Sequence, residues 1–169
     1  MKCFEKDYSN FYDLLYKNKK YKKEFDLIKK TIKRYTSKPS SLLDLGCGTG
    51  KYSNLMTSLN LKVVGVDRSN NMLKIAKQKY SKNKKLTFVK SSIEKINLKK
   101  KFDIISALFH ILSYQTSSKQ IDKFFINSSR HLNKNGILIF DFWYRSGVYN
   151  LQSPLRVRIV ENKIYLFFT

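Results

Sequence analysis

A short apolar segment of the chain ends in three glycines spaced two apart, in the sequence LLDLGCGTG of residues 42–50. The pattern predicts a buried strand that turns sharply into a helix, because glycine permits both the turn and the close approach of a ligand. The backbone N–H groups of such a turn converge at the N-terminus of the helix, where they can contact polar groups of a ligand. We therefore expect a nucleotide-like cofactor at this turn.

The glycine spacing excludes two common nucleotide-binding motifs. The dinucleotide motif G-x-G-x-x-G, counted from the first glycine, requires a third glycine where Lys51 stands. The P-loop motif requires a glycine in place of Leu45 and a serine or threonine in place of Tyr52. The pattern that remains is Asp-x-Gly-x-Gly-x-Gly, in which the acid, Asp44, precedes the glycines.

This acid-first pattern resembles the first motif of class I S-adenosylmethionine-dependent methyltransferases. In that family the glycine turn accepts the methionine end of the cofactor, and the acid helps to bind its cationic amino group. A carboxylate fits beside a sulfonium and an ammonium, whereas it would repel a pyrophosphate. The resemblance implies S-adenosylmethionine as the cofactor, with Asp44, Gly46, Cys47 and Gly48 at its methionine end. A tight structural turn in another α/β protein is the alternative interpretation.

A second acid, Asp67, ends the apolar run of residues 61–66, which reads as the second parallel strand. A carboxylate at this place can accept hydrogen bonds from both ribose hydroxyls of a nucleotide, and the resemblance implies that role. We assign the neighbouring Arg68 to the same cofactor site. Met72 lies in a helix that Ser69 caps, at a position that packs against adenine in the family.

The third predicted strand, residues 86–89, leads into Ser92 and Ile93. Relatives usually carry an aspartate where Ser92 stands, and that aspartate binds the adenine amino group. A serine oxygen can accept the same hydrogen bond, but more weakly because it carries no charge. The resemblance implies that Ile93 contributes a backbone amide and an apolar wall.

The fourth predicted strand and the loop after it, residues 102–110, lead to the edge where an open α/β sheet binds ligands. We assign Leu108 to the cofactor site. His110 can take up a proton near neutral pH, so we expect a general base or a group that orients the substrate; a histidine that caps a loop is the alternative. The sequence FHILSY at residues 109–114 resembles methyltransferases that act on small molecules, including nucleotide-linked sugars. His131, in the amphipathic helix predicted at 118–132, is expected to be structural.

Asn135-Gly136 predicts a turn into a fifth strand over residues 137–142, which Trp143 and Tyr144 follow. Relatives show a similar Phe-Asp-x-Trp-Tyr at this place, and the resemblance implies that the two aromatic residues line the acceptor pocket. The tail alternates between apolar and polar residues around positions 161–163 and predicts a β-hairpin.

Residues 1–39 predict helices, with a basic connector at 17–23 and Pro39 at the end. They resemble the N-terminal helices that fold over the cofactor as a lid in small-molecule methyltransferases. The resemblance implies that Tyr12 and Tyr21 contact the cofactor and that Tyr16 contacts the substrate. Amphipathic helices whose tyrosines shield the core are the alternative interpretation.

The composition limits the partners that the chain can have. A formal charge of +22 favours nucleic acid or an anionic membrane, but the basic residues are mostly Lys and are spread along the chain, so we expect neither partner. Two distant cysteines predict neither a disulfide framework nor a zinc site, and no metal cluster is seen. No apolar run reaches transmembrane length and no signal-peptide pattern opens the chain. A reduced cytoplasmic location fits these features.

The sequence therefore predicts one α/β domain over residues 1–169, built on the Rossmann-like sheet of class I methyltransferases with helices on both faces. We divide it into a helical lid at 1–39, a cofactor-binding core at 40–145 and a hairpin at 146–169 that begins an incomplete C-terminal part. The fold reads as shortened after the fifth strand, and a homodimer through the C-terminal strands would cover the open edge.

The favoured function is methyl transfer from S-adenosylmethionine to nitrogen or oxygen of a small molecule, such as a nucleotide-linked sugar. An RNA methyltransferase, or an inactive subunit that binds cofactor or a partner, are the alternatives.

Overall fold

A computed structural model of the chain describes residues 21–142 and the strands at 155–160 and 163–168. The chain divides into two compact units, one of residues 20–142 and one that contains the two C-terminal strands. The prediction of a single domain over 1–169, with its lid, core and hairpin parts, stays a prediction. In chain order the helices and strands are α1 Tyr21–Tyr35, β1 Ser41–Leu45, α2 Lys51–Thr57, β2 Lys62–Asp67, α3 Asn70–Lys79, β3 Leu86–Lys90, β4 Phe102–Ala107, a 3₁₀ turn Ile111–Tyr114, α4 Ser118–His131, β5 Leu132–Phe140, β6 Leu155–Val160 and β7 Lys163–Phe168.

Five of the strands form a parallel sheet in the order β3-β2-β1-β4-β5. In the register of the central strand, Leu43 lies opposite Val64 of β2 and Ile105 of β4. The chain order reverses direction between β1 and β4, and ligands bind at the carboxyl ends of the strands beside such a reversal. The predicted Rossmann-like sheet is confirmed, and its reversal point places the candidate site after β1 and β4.

Alternate residues of the strands face opposite sides of the sheet, because the side-chain period of a strand is two. Leu42 and Ile104 belong to one apolar cluster, which Ile28 and Ile32 of α1 and Met56 of α2 complete. The next residues along the same two strands belong to a second cluster, which the fully buried Phe124 of α4 completes. Helices therefore cover both faces of the sheet, as the sequence predicts.

Three predicted boundaries are wrong. Residues 21–23, placed in a basic connector, belong to α1. The predicted turn at Asn135-Gly136 lies inside β5, which begins at Leu132 directly after α4. The fifth strand, predicted over 137–142, ends at Phe140, so Asp141 follows it. Asn135 adopts a left-handed conformation with φ 64°, and the register between β4 and β5 shifts at the same level of the sheet. A bulge therefore accommodates the two turn-forming residues within the strand.

Asp103, near the start of β4, ties the amino ends of three strands together. Its Oδ2 accepts hydrogen bonds from the backbone N–H and hydroxyl groups of Ser40 and Ser41, at distances of 2.9 to 3.1 Å. Its Oδ1 accepts a bond of 2.8 Å from the amide of Asn133 in β5. Burial alone would raise the pKa of this carboxyl, but the hydrogen bonds from Ser40, Asn133 and Ser41 lower it to about 2. Asp103 is therefore a stabilising acid at the edge opposite the candidate site.

The hairpin β6–β7 is antiparallel, with Leu155 opposite Phe168 and Val160 opposite Lys163. The prediction of a C-terminal hairpin is confirmed. In the part of the chain that the structure describes, no helix has the length and apolar character needed to cross a membrane.

Candidate functional site

The glycine turn follows β1, and all three of its glycines adopt left-handed conformations, with φ 71° at Gly46, 54° at Gly48 and 80° at Gly50. The backbone N–H groups of Gly46 and Cys47 both donate to the carbonyl of Val66, at 2.8 and 3.0 Å. These two bonds fasten the turn to the end of β2. Glycine is required here because other residues adopt this conformation only at a cost.

The three glycines differ in the space around them. A Cβ added to Gly46 would overlap the side chain of Ile111, and one added to Gly50 would lie 2.6 Å from the ring of Phe88. A Cβ added to Gly48 would meet no atom of the residues that the structure describes within 4 Å. Gly46 and Gly50 therefore allow close packing of the protein, whereas Gly48 faces space that no described residue fills, in which a ligand can approach the backbone.

Asp44, the acid that precedes the glycines, is buried with only 3% of its surface exposed. Its Oδ1 accepts a hydrogen bond of 2.8 Å from Ser106 in β4, and its Oδ2 accepts one of 2.5 Å from Ser53 in α2. Burial raises the pKa of this carboxyl to about 6, against the opposing effect of the two serine bonds and with a small addition from the charge of Asp67. Each oxygen keeps lone-pair capacity for a further donor such as an ammonium group.

Cys47 is half-buried within the turn, and its thiol donates weakly to the carbonyl of Gly48 at 3.8 Å. Burial, followed by the charges of Asp44 and Asp67, raises the pKa of the thiol well above its ordinary value. A neutral thiol is a poor nucleophile, so Cys47 contributes surface and backbone to the turn instead of covalent chemistry.

Asp67 ends β2 and holds the glycine turn to the helix that follows. Its Oδ2 accepts the backbone N–H of Gly48 at 2.9 Å, and its Oδ1 accepts that of Ser69 at 2.7 Å. Burial raises the pKa of Asp67, while the bonds from Ser69 and Gly48 and the charge of Arg68 oppose the rise. The ribose role of Asp67 stays a prediction, and the bond from Gly48 was not part of it. The one signal for that bond is that the loops after β1 and β2 lie side by side, because these two strands are parallel neighbours in the sheet.

The predicted adenine side of the site lies at the start of α3 and after β3. Met72 is 2% exposed, and its backbone N–H donates to the Ser69 side chain at 3.3 Å. Ser92 and Ile93 are half-buried. The amide of Asn127 in α4 donates to the carbonyl of Ile93 at 2.7 Å and fixes this segment. Sequence reasoning missed Asn127, although an asparagine on the buried face of an amphipathic helix signals such a bond.

His131 and Leu98 meet at the far end of the same segment. Nε2 of His131 accepts the backbone N–H of Leu98 at 3.0 Å, and Nδ1 lies 2.7 Å from the carbonyl of Asn127. Both ring nitrogens have backbone partners, which a neutral imidazole with its proton on Nδ1 satisfies. The prediction that His131 is structural agrees with these contacts.

The loop after β4 carries His110 to the glycine turn. Leu108 is buried at the end of the first apolar cluster, and His110 is half-buried. The next residue, Ile111, lies against Gly46, as its overlap with an added Cβ shows. The structure therefore brings His110 within one residue of a direct contact with the glycine turn.

Tyr21 lies against the first turn of α2. The ammonium of Lys51 lies 3.7 Å from the centroid of its ring, and the ring of Tyr52 lies at 5.3 Å. Lys51 directly follows the last glycine of the turn, so Tyr21 lies beside the predicted cofactor site. Arg68 is exposed next to Asp67. The predicted site residues outside the described parts of the chain are Tyr12, Tyr16, Trp143 and Tyr144.

Within residues 21–142 and the two hairpin strands, no group of three His, Cys, Asp or Glu residues could hold a metal ion.

Comparison with known proteins identifies the family. The model of a methyltransferase domain family matches residues 42–136, which is more than half of the 169 residues. The chain therefore belongs to this family of methyltransferase domains, whose S-adenosylmethionine-dependent class I members include sugar N-methyltransferases. The resemblance of the glycine motif to that class is confirmed.

Two curated relatives show the breadth of the family. A ubiquinone biosynthesis O-methyltransferase of Pelagibacter ubique is 41% identical over 98 residues, which are 57% of this chain and 39% of that protein. A dTDP-3-amino-3,4,6-trideoxy-alpha-D-glucopyranose N,N-dimethyltransferase of Streptomyces venezuelae is 25% identical over 143 residues, 83% of this chain and 59% of that protein. The chain thus spans well under two thirds of the length of either relative.

A solved structure agrees with the fold. The crystal structure of an S-adenosylmethionine-dependent methyltransferase from Clostridium acetobutylicum matches with a TM-score of 0.83 at 25% identity, over 96% of this chain and 67% of that one.

Proposed function

We propose that the chain binds S-adenosylmethionine at the glycine turn and transfers its methyl group to nitrogen or oxygen of a small molecule. The observation that carries this proposal is the contact between Ile111 and Gly46, because it joins the loop of a proton-accepting side chain to the predicted cofactor turn. The open space at Gly48 and the carboxylate of Asp67 beside it fit the methionine and ribose parts of such a cofactor. The family match supports the same cofactor.

The proposed cofactor contacts divide along the molecule. Asp44 and the backbone of the glycine turn bind the amino-acid end, and Asp67 accepts the ribose hydroxyls. We assign the remaining predicted residues to the adenine and to the walls of the cofactor site. These residues are Met72, Ser92, Ile93, Leu108 and Arg68, and Tyr12 and Tyr21 lie over the cofactor in this proposal.

S-adenosylmethionine supplies an electrophilic methyl group when it is bound. The chain's own contribution is to hold the acceptor in line with that group and to remove one proton from it. We propose that His110 takes this proton on its imidazole, and that Tyr16, Trp143 and Tyr144 line the acceptor pocket. No metal ion is required for these steps.

A nucleotide-linked amino sugar is the first acceptor class to test, because a curated relative over 83% of the chain is named as a methyltransferase of such a sugar. A phenolic acceptor is the second, since the relative with 41% identity is named as an O-methyltransferase of ubiquinone biosynthesis. The small-molecule class unites the two, and the sequence FHILSY after β4 favours it.

RNA is a second candidate acceptor because of one feature of the surface. A cleft of about 540 Å³ lies between the end of α4 and the segment that leads into β4. Five cationic side chains line it, together with one acid; the cations are Lys95, Lys99, Lys100, Lys101 and Arg130. The cleft precedes the amino end of β4, whereas the glycine turn follows the carboxyl end of β1. RNA bound there would need to extend around the sheet to reach His110.

A screen with S-adenosylmethionine labelled in its methyl group tests these candidates together. We expect label on dTDP-linked amino sugars or on a catechol, and none on total RNA. Label on RNA alone would favour RNA as the acceptor instead of a small molecule. Tight cofactor binding without label on any acceptor would favour the inactive binding subunit. The cytoplasmic location and the homodimer through the C-terminal strands remain predictions.

A further inference from the structure

Asp141 lies directly after β5 and holds the loop that carries His110. Its Oδ1 accepts the backbone N–H of His110 at 2.6 Å, and its Oδ2 accepts that of Phe109 at 3.1 Å. One carboxylate therefore binds two consecutive backbone donors of a different strand's loop. Charged acceptors form the shorter and stronger hydrogen bonds of this kind; the bond from His110 lies just below the usual range of about 2.7 to 3.2 Å, and the bond from Phe109 lies within it.

The two bonded residues adopt an unusual backbone conformation. Phe109 has φ 67° and His110 has φ 62°, so two consecutive residues that are not glycine lie in the left-handed region. Side chains with a Cβ disfavour this region, and such a conformation persists only where surrounding contacts hold it. The two bonds from Asp141 are contacts of that kind.

The conformation directs the loop toward the glycine turn. His110 precedes the 3₁₀ turn Ile111–Tyr114, and Ile111 packs on Gly46 where a Cβ would not fit. Asp141 is thus connected through His110 and Ile111 to the predicted cofactor turn. A change at Asp141 would alter the position of the imidazole relative to the methyl donor.

We propose that Asp141 is a positioning residue for methyl transfer, which fixes the left-handed Phe109–His110 loop so that the imidazole meets the acceptor. The proposal rests on the function proposed above for His110. Asp141 itself touches neither substrate nor cofactor in this role. An asparagine at position 141 would turn its NH₂ group toward one of the two backbone donors and lose that bond.

The test compares Asp141→Asn with the matched control Asp122→Asn, which changes an exposed acid on α4. We expect Asp141→Asn to lower kcat for methyl transfer by at least about tenfold, because a small misplacement of a reacting group is costly. The dissociation constant for S-adenosylmethionine should stay within about threefold of the parent, since the cofactor contacts lie on other residues. Asp122→Asn should change neither quantity.

A second variant separates positioning from a general loss of structure. Glycine adopts the left-handed conformation readily, so Phe109→Gly should reduce the dependence of the loop on Asp141. We expect Asp141→Asn to cost clearly less turnover in the Phe109→Gly background than in the parent. An equal cost in both backgrounds would overturn the proposal, as would parent-like turnover of Asp141→Asn. Failure of both Asp141→Asn and the double variant to fold would also overturn it, because Asp141 would then be a folding residue.

A spectroscopic readout keeps this inference separate from the proposed function. In the parent, the amide protons of Phe109 and His110 should resonate at low field because both donate to a carboxylate, and Asp141→Asn should move both signals. If the parent methylates no acceptor, the proposed function fails, while these signals still show whether Asp141 binds the backbone N–H groups of Phe109 and His110. Unmoved signals in Asp141→Asn would contradict those two hydrogen bonds.

Discussion

The carboxylate of Asp67 accepts the backbone N–H of Gly48 at 2.9 Å, so an acid at the end of β2 holds the middle glycine of the turn after β1. Gly48 is also the glycine of that turn at which an added Cβ would meet no described residue within 4 Å. The same residue pair therefore shapes the turn at the proposed cofactor site.

Replacing Asp67 should weaken cofactor binding strongly. Asp67→Ala removes a charged acceptor for the ribose hydroxyls and the bond that orders Gly48, so we expect a loss of about 2–4 kcal/mol in S-adenosylmethionine binding. Calorimetric titration measures the change. Asp26→Ala, at an exposed position of α1, is the matched control and should bind like the parent. Parent-like affinity in a folded Asp67→Ala protein would remove Asp67 from the cofactor site.

Restoring the acid that relatives carry after β3 should tighten cofactor binding. Ser92→Asp offers a charged acceptor to the adenine amino group in place of a neutral hydroxyl, so the dissociation constant for S-adenosylmethionine should fall. Ser91→Asp, one residue earlier in the same segment, is the control and should give no comparable gain. If Ser92→Asp folds and binds no better than the parent, adenine does not lie at Ser92.

Removing the imidazole of His110 should lower turnover and spare the cofactor. We expect His110→Ala to reduce kcat by roughly 10²–10⁴-fold with nearly unchanged S-adenosylmethionine affinity. The parent's rate should rise with pH because only a neutral imidazole accepts a proton, and that rise should vanish in the variant. A rise that persists belongs to the acceptor. Full turnover with the parent's pH profile would make His110 structural, and Tyr12 or Tyr144 would be tested next.

The Asp103 network should make the fold sensitive to acid. The pKa of Asp103 lies below that of an unfolded aspartate, so its stabilising effect is present above about pH 4 and is lost as the pH falls toward 2. Asp103→Asn should lower the free energy of unfolding at pH 7 by about 1–2 kcal/mol, a modest figure because solvent screens part of the group. Denaturant unfolding at pH 7 and pH 3 measures this, with Asp122→Asn as control. A difference between parent and variant that is unchanged at pH 3 would contradict the account.

Much of the fold could be predicted from the sequence because its signals are local. The apolar runs give the five strands, and the glycine spacing gives the turn that the structure shows after β1. The boundary error at Asn135-Gly136 has a different origin: two residues that favour a turn are absorbed by a bulge, which depends on pairing with β4.

The sequence can name candidate site residues by their type, but not the contacts between them. Asp67 and His110 are predicted site residues because of the strand ends near which they stand. The bonds of Asp141 to the Phe109–His110 loop and of Asn127 to Ile93 join residues more than 30 positions apart, so no local pattern contains them. Such contacts depend on which loops the sheet order brings together.

The measurement that tests the central claim most directly is calorimetric titration of the chain with three ligands: S-adenosylmethionine, its demethylated product and NAD. The acid-first glycine motif and Asp67 predict binding of the first two ligands and no heat from NAD. Heat from NAD, with none from either of the other two ligands, would contradict the assignment of the glycine turn to S-adenosylmethionine.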